Sequence, residues 1–180
     1  TITVTATTFK GLFARIGKKG LLKNISIHID ALKASSGAIY CGVNLGTIAN
    51  CKTYIGTITV SSSSSSECSG ICRNNYGLIY KCEAEMYGGG DMFDGGGICY
   101  YNCSGSVVGC SFKGKLASNN NGTIAGLVGV NYQDAKYGKD VCGLISDCVN
   151  YGTMEIFLND EGKAWWVGAG GICCSNYGWI

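Results

Sequence analysis

The chain has 180 residues, 46% of them hydrophobic, enough to close one packed interior and too many for wholesale disorder. Fourteen basic residues against 12 acidic ones leave a net charge of +2, which argues against the basic stripe of a dedicated nucleic-acid binder. With 29 Gly, 12 Cys, no Pro and no apolar run near the roughly 18 residues of a membrane span, collagen and a transmembrane helix are excluded, and many tight turns are expected.

The first elements are short apolar runs punctuated by glycine and lysine (FKGLFARIGKKGLLKNISI, Phe9 to Ile27). In NISIHID the alternation puts Ile25, Ile27 and Ile29 on one side of a strand and His28 on the other, solvent side. A strand over Ala38 to Asn44 (AIYCGVN), a turn, a second strand about Ile48 and a third over Gly56 to Val60 (GTITV) follow. The opening block then returns as Gly70 to Asn75 (GICRNN), Gly97 to Asn102 (GICYYN), Gly126 to Asn131 (GLVGVN) and Gly171 to Asn176 (GICCSN). The third strand returns as Gly152 to Ile156 (GTMEI). Between the repeats stand Ser61 to Ser66, Tyr87 to Gly95 (YGGGDMFDG), Ala117 to Asn121 (ASNNN) and Phe157 to Lys163 (FLNDEGK), expected as insertions along one edge. Gln133 to Val141 (QDAKYGKDV) interrupts a different corner and is expected to project elsewhere.

Two cysteine columns emerge when the blocks are aligned. Three residues before the asparagine stand Cys41, Cys72, Cys99, Val128 and Cys173. Two residues after each asparagine comes glycine, or three in one case: Gly46, Gly77, Gly105 and, past the insertion, Gly143, with Gly178 closing the series. Five residues after these anchors, and after Gly20, stand Ile25, Cys51, Cys82, Cys110 and Cys148. Successive anchors from Gly20 are 26, 31, 28, 38 and 35 residues apart, a constant core with variable insertions. The glycines and β-branched residues exclude a helical repeat, so one repeat is one coil of a parallel β-solenoid, with like side chains stacked along the axis. Asn-x-Gly is read as a corner because both residue types tolerate positive φ. About five coils, starting near residues 11, 36, 69, 96 and 125, and a partial sixth from 170 are expected, in one right-handed all-β domain over 1–180.

"GGICYYNCSGSVVGC", "AGLVGVNY" and "GLISDCVNYGTM" resemble the GLUG repeat of bacterial surface proteins, which runs roughly Gly-Gly-Leu/Ile-x-Gly-x-Asn-x-Gly-x-Ile-x-x-Cys/Ser. The opening Phe9 to Ile27 looks like the first coil of such proteins. The departures are Cys41, Cys72, Cys99 and Cys173, where a small or aliphatic residue is commoner. The resemblance implies a non-catalytic structural or adhesive module on the cell surface or secreted. Its partners would be neighbouring repeats, a second copy meeting it end to end, or a host or matrix glycan or protein. The absence of an initiating Met and of a signal peptide suggests a piece of a longer chain.

The reactive residues fit this reading. The eight column cysteines are expected to be buried free thiols, while Cys68, Cys103, Cys142 and Cys174 are expected to pair or to be exposed. Without a Cys-x-x-Cys pair, and with His28 as the one histidine, neither a metal site nor a Cys–His nucleophile is expected, and no cofactor. Gly88 to Gly90 lacks the strand-to-helix setting of a phosphate loop. Carboxylate pairs that a carbohydrate-active β-helix would need are Asp91 with Asp94, or Asp160 with Glu161. Asn24, Asn102 and Asn121 each match the N-glycan acceptor pattern. Tyr76, Tyr132, Tyr151 and Tyr177, each directly after an asparagine, offer either a buried buttress or an exposed row able to stack on sugars.

Overall fold

The computed structural model describes residues 2–4, 11–34, 37–60, 66–119, 122–134, 136, 141–157 and 167–180. Among them every strand pairing is parallel and there is no α-helix, so the chain is a parallel β-solenoid. One circuit runs Cys41–Asn44, Thr47–Ala49, Lys52–Val60 and Ser66–Ser69 before the next begins at Cys72. Each strand pairs with its equivalents one circuit before and after, which builds four sheets around the axis.

The first sheet contains Phe13–Ile16, Cys41–Asn44, Cys72–Asn75, Cys99–Cys103, Val128–Tyr132 and Cys173–Asn176. The second contains Leu21–Lys23, Thr47–Ala49, Leu78–Tyr80, Ser106–Val108 and Leu144–Ser146. The third carries the long strands Ser26–Ala34, Lys52–Val60, Glu83–Asp91 and Ser111–Asn119, flanked by Ile2–Val4 and by Val149–Asn150 with Thr153–Phe157. The fourth contains Gly37–Ala38, Ser66–Ser69, Phe93–Gly96, Gly122–Ala125 and Val167–Gly170.

The circuit therefore has four strands where the sequence suggested three. The block read as one strand, Ala38 to Asn44, bends after Ala38, so Gly37–Ala38 belongs to the fourth sheet and Cys41–Asn44 to the first. The segment read as an insertion, Tyr87 to Gly95, is mostly regular strand: it ends Glu83–Asp91 and enters Phe93–Gly96. Gly88, Gly89 and Gly90 take φ of 125°, 144° and 151° there, beside a register shift between Met86 and Gly88. Glycine is needed because a Cβ on Gly89 would lie 1.8 Å from the Ala117 carbonyl oxygen. Ala117 to Asn119 likewise completes a strand. Residues 61–65, 120–121 and 158–163, with Asp160 and Glu161, lie outside the described residues.

The corners differ from expectation in their physics. At Asn44 to Gly46 and Asn75 to Gly77 the backbone does not enter the left-handed region, which this corner reaches at Ser104 in the longer turn from Asn102 to Gly105; the asparagine Oδ1 accepts the glycine N–H instead, at 3.1 Å for Asn44 and Gly46 and 3.3 Å for Asn75 and Gly77. Glycine is required by stacking. A Cβ on Gly46 would lie 2.2 Å from the Gly20 carbonyl oxygen, and one on Gly77 2.1 Å from that of Gly46. Those carbonyls accept the N–H groups of Thr47 and Leu78 one circuit on. The left-handed corner lies between the second and third sheets, at Asn24, Asn50, Lys81, Gly109 and Asp147, with φ from 50° to 62°.

The interior is filled column by column. Ile48, Ile79, Val107 and Ile145 stack in the second sheet, and Ile39, Ile71, Ile98 and Leu127 at the bend into the first. Where one column swells, its neighbours shrink: Phe112, in the column of Ile27, Thr53 and Ala84, occupies the space a Cβ on Gly97 or Gly152 would need.

Candidate functional site

Three ladders run inside the solenoid. In the first sheet Cys41, Cys72, Cys99, Val128 and Cys173 are register partners, and the Cys41 and Cys72 sulfurs lie 3.6 Å apart. Burial pushes the Cys72 and Cys99 thiols well above the ordinary thiol range. Three residues on, Asn44, Asn75, Asn102 and Asn131 are fully buried. Each passes an Nδ2–H to the Oδ1 of the next, at 2.9, 2.8 and 2.8 Å, and Asn131 passes one to Asn176 at 2.8 Å. The remaining amide hydrogens reach backbone carbonyls, such as Asn75 to Ser106 at 3.2 Å, so the ladder meets its own polar demand. Burial also removes Asn102 from the candidate glycan acceptors.

The second cysteine ladder is Ile25, Cys51, Cys82, Cys110 and Cys148, joined by backbone bonds from each following residue. The Cys82 and Cys110 N–H groups point at the next sulfur, 3.4 and 3.3 Å away. At the half-buried end the Cys110 thiol, with its N–H behind it, holds the Cys148 thiol down to about 7. All twelve cysteines are free. Off the columns, Cys68 and Cys103 depart from the expectation of pairing or exposure. Both are buried, Cys68 inside the fourth sheet and Cys103 against the Tyr132 hydroxyl at 3.2 Å, while Cys142 and Cys174 are half-buried.

The corner tyrosines form no exposed row. Tyr76 is buried and donates to Asp134 at 2.7 Å, and Tyr132 is half-buried beside Cys103. Tyr151 and Tyr177 are exposed, but Tyr151 follows Asn150 of the third sheet and stands on another corner. The candidate carboxylates separate as well. Asp91 is exposed at the end of a third-sheet strand, whereas Asp94 is half-buried in the fourth sheet and accepts the Thr123 N–H at 2.7 Å. Burial raises the Asp94 carboxyl above its ordinary range. Its register partner is Glu67, which is held in a two-toothed ion pair by Arg73. Asp94 and Glu67, from adjacent circuits, thus replace Asp91 and Asp94 as the neighbouring acids.

The third sheet carries the site that the sequence reading missed. On its outer face His28, Tyr54, Glu85 and Lys113 are register partners, beside a second outward column of Ser26, Lys52, Glu83 and Ser111. These residues line a groove of about 240 Å³. The His28 and Tyr54 rings stack at 4.5 Å and 15°, and the Tyr87 ring lies 6.5 Å from Tyr54. A second contact orients most of the groups: His28 to Asp30 at 2.9 Å, Lys52 to Glu83 at 3.0 Å, and the Tyr87 hydroxyl to Glu85 at 2.9 Å. His28 is outward as expected, with 42% of its side chain exposed. Counting one and three residues beyond Ile25, Cys51, Cys82 and Cys110 finds both columns in the sequence. No family model, no curated protein and no solved structure matches the chain.

Proposed function

We propose that the chain is a non-catalytic repeat module, structural or adhesive, of a bacterial cell-surface or secreted protein of the GLUG-like kind. The observation that carries this reading is where the reactive side chains go. Cysteine and asparagine, which in an enzyme would converge on one pocket, are spread one per circuit along the axis and bonded to their own kind. The Gly-Ile-Cys, Asn and Gly positions of the GLUG-like pattern fall on equivalent positions in successive circuits, which supports the resemblance. Such stacking gives a rod of about 4.8 Å per circuit, suited to a spacer that presents an outer face.

The competing readings are a polysaccharide hydrolase, which needs two acids across a scissile bond, and a lyase, which needs a free base beside groups that neutralise the sugar's own carboxylate. Asp94 is bonded to a backbone amide, Glu67 to Arg73, Glu83 to Lys52 and Glu85 to the Tyr87 hydroxyl, so each of these carboxylates is engaged within the chain and none is poised for proton transfer to a bound sugar. Incubating the chain with a panel of neutral and uronic-acid polysaccharides is expected to release no reducing ends and no unsaturated product. Turnover that Asp94→Asn, Glu67→Gln, Glu83→Gln or Glu85→Gln abolishes would overturn the reading. Within it, the groove over the third sheet favours adhesion to glycan.

A further inference from the structure

We propose that the outer face of the third sheet binds a neutral pyranose unit of a glycan in the groove between the Tyr54 ring and the Lys113 ammonium, an inference that rests on the adhesive reading above. One face of Tyr54 is covered by His28 in a near-parallel stack. Toward the next circuit the Tyr87 ring lies tilted at 59° and 6.5 Å from Tyr54, and beside it the register column continues as the slender Glu85 and then Lys113. Those two steps span roughly 9.6 Å, and the groove of about 240 Å³ is below the usual size of a drug-sized ligand site and suits a single saturated ring.

The lining matches a sugar in each of its chemical parts. The C–H face of a pyranose packs on an aromatic ring, and Tyr54 offers one already fixed by stacking. Hydroxyl hydrogens go to the Glu83 and Glu85 carboxylates. Hydroxyl oxygens accept from Lys52 and Lys113, and Ser26 and Ser111 at the margin can do either. The two ammonium and two carboxylate groups cancel, so the groove sets up no net field for a polyanion, which selects an uncharged sugar. Contacts of Lys52 with Glu83 and of Glu85 with Tyr87 order these chains in advance, so less freedom is lost on binding.

The test is direct titration of the 180-residue chain with neutral hexose oligosaccharides, uronic-acid glycans and sulfated glycans at up to about 10 mM, followed by calorimetry, a range that covers the expected affinity. A neutral oligosaccharide is expected to bind with a Kd on the order of 1 mM for one ring in the groove. Tyr54→Ala should weaken it at least tenfold, Tyr54→Phe should stay within twofold, and Tyr80→Ala on the second sheet should change nothing. Far-UV circular dichroism checks that each variant is folded. Binding of polyanions alone, no binding of any glycan at that concentration, or neutral binding indifferent to Tyr54→Ala would each overturn the site. Absence of binding leaves the non-catalytic reading intact, whereas cleavage of a bound glycan overturns that reading and leaves the site standing.

Discussion

Removing one asparagine from the middle of the ladder tests whether the buried amides hold the circuits together. Asn75 is fully buried; its Oδ1 accepts from Asn44 Nδ2 at 2.9 Å and from the Gly77 N–H at 3.3 Å, and its Nδ2 donates to Asn102 at 2.8 Å and to the Ser106 carbonyl at 3.2 Å. In Asn75→Ala, Asn44 keeps one amide hydrogen on the Leu78 carbonyl, but its other amide hydrogen, the Gly77 N–H and the Asn102 Oδ1 lose their partners in the dry interior. Each buried orphan costs about 1–3 kcal/mol, so the substitution should cost about 3 kcal/mol or more. Asn74, the half-buried neighbour on the outer face, is the control, and Asn74→Ala should stay within about 0.5 kcal/mol of the parent. Urea unfolding followed by far-UV circular dichroism measures both. A solenoid is bound mainly by nearest-neighbour contacts, so Asn75→Ala should also split or broaden the transition. A loss below about 1 kcal/mol, or an equal loss from Asn74→Ala, would refute the reasoning, because 1 kcal/mol is the ordinary worth of one hydrogen bond that water can replace.

Gly77→Ala should cost about 1–3 kcal/mol by overpacking, since its Cβ would meet the Gly46 carbonyl oxygen at 2.1 Å, whereas Gly17→Ala, with nothing within 4 Å, should be close to neutral in thermal melts. A bulky maleimide should label Cys142, Cys148, Cys173 and Cys174 in the native chain, and all twelve cysteines after denaturation without reductant; five or more disulfides would contradict this. Labelling at Cys148 should level off above about pH 7, while Cys173, pushed up to about 11 by burial, should keep accelerating beyond that. Asp94 has a folded pKa above its unfolded one, so the stability it contributes is present below the unfolded value of 3.8 and is lost as pH rises through the folded value. Asp94→Asn, which keeps an acceptor for Thr123, should therefore raise Tm at pH 7 and lose that gain near pH 3.5, and a gain that grows on acidification would rule this out.

The columns were legible because a parallel solenoid repeats its inward residues in kind. Cys41, Cys72, Cys99, Val128 and Cys173 align by eye and are register partners in space. The left-handed corner was hidden because its occupants, Asn24, Asn50, Lys81, Gly109 and Asp147, share a backbone conformation without repeating one residue type, and Lys81 breaks the run of residues that favour it. Glycines misled for a related reason. Gly46 and Gly77 look like turn residues, but what selects them is the carbonyl of the circuit below, a neighbour 26 or 31 residues away in the chain. Gly88 to Gly90 look like a loop and lie in a strand, because the adjoining backbone comes too close for a Cβ. Tyr54, Glu85 and Lys113 escaped notice because their column supplies one outward residue per circuit, with no two alike, so no local motif marks them.

The two kinds of column also depend on each other. Asn44, Asn75 and Asn102 lie in the same three circuits as Tyr54, Glu85 and Lys113, on the opposite side of the circuit's corners. The amide ladder ties those circuits at bonds of 2.9 and 2.8 Å, and the same stacking sets the distance from the Tyr54 ring to the Lys113 ammonium. Inward positions must repeat because each must bond or pack on its own copy, whereas outward positions are free to differ. Ligand preference can therefore be rewritten along the outer face at little cost in stability, while the spacing on which it depends is protected inside. Lys113→Gln should alter binding without shifting the unfolding midpoint. Asn75→Ala touches no ligand, yet it should loosen the Glu85 circuit and weaken the binding of a neutral glycan while the chain is still folded. If binding survived a broken ladder unchanged, the outer groove would owe its shape to the third sheet alone, and the inner asparagines would serve stability only.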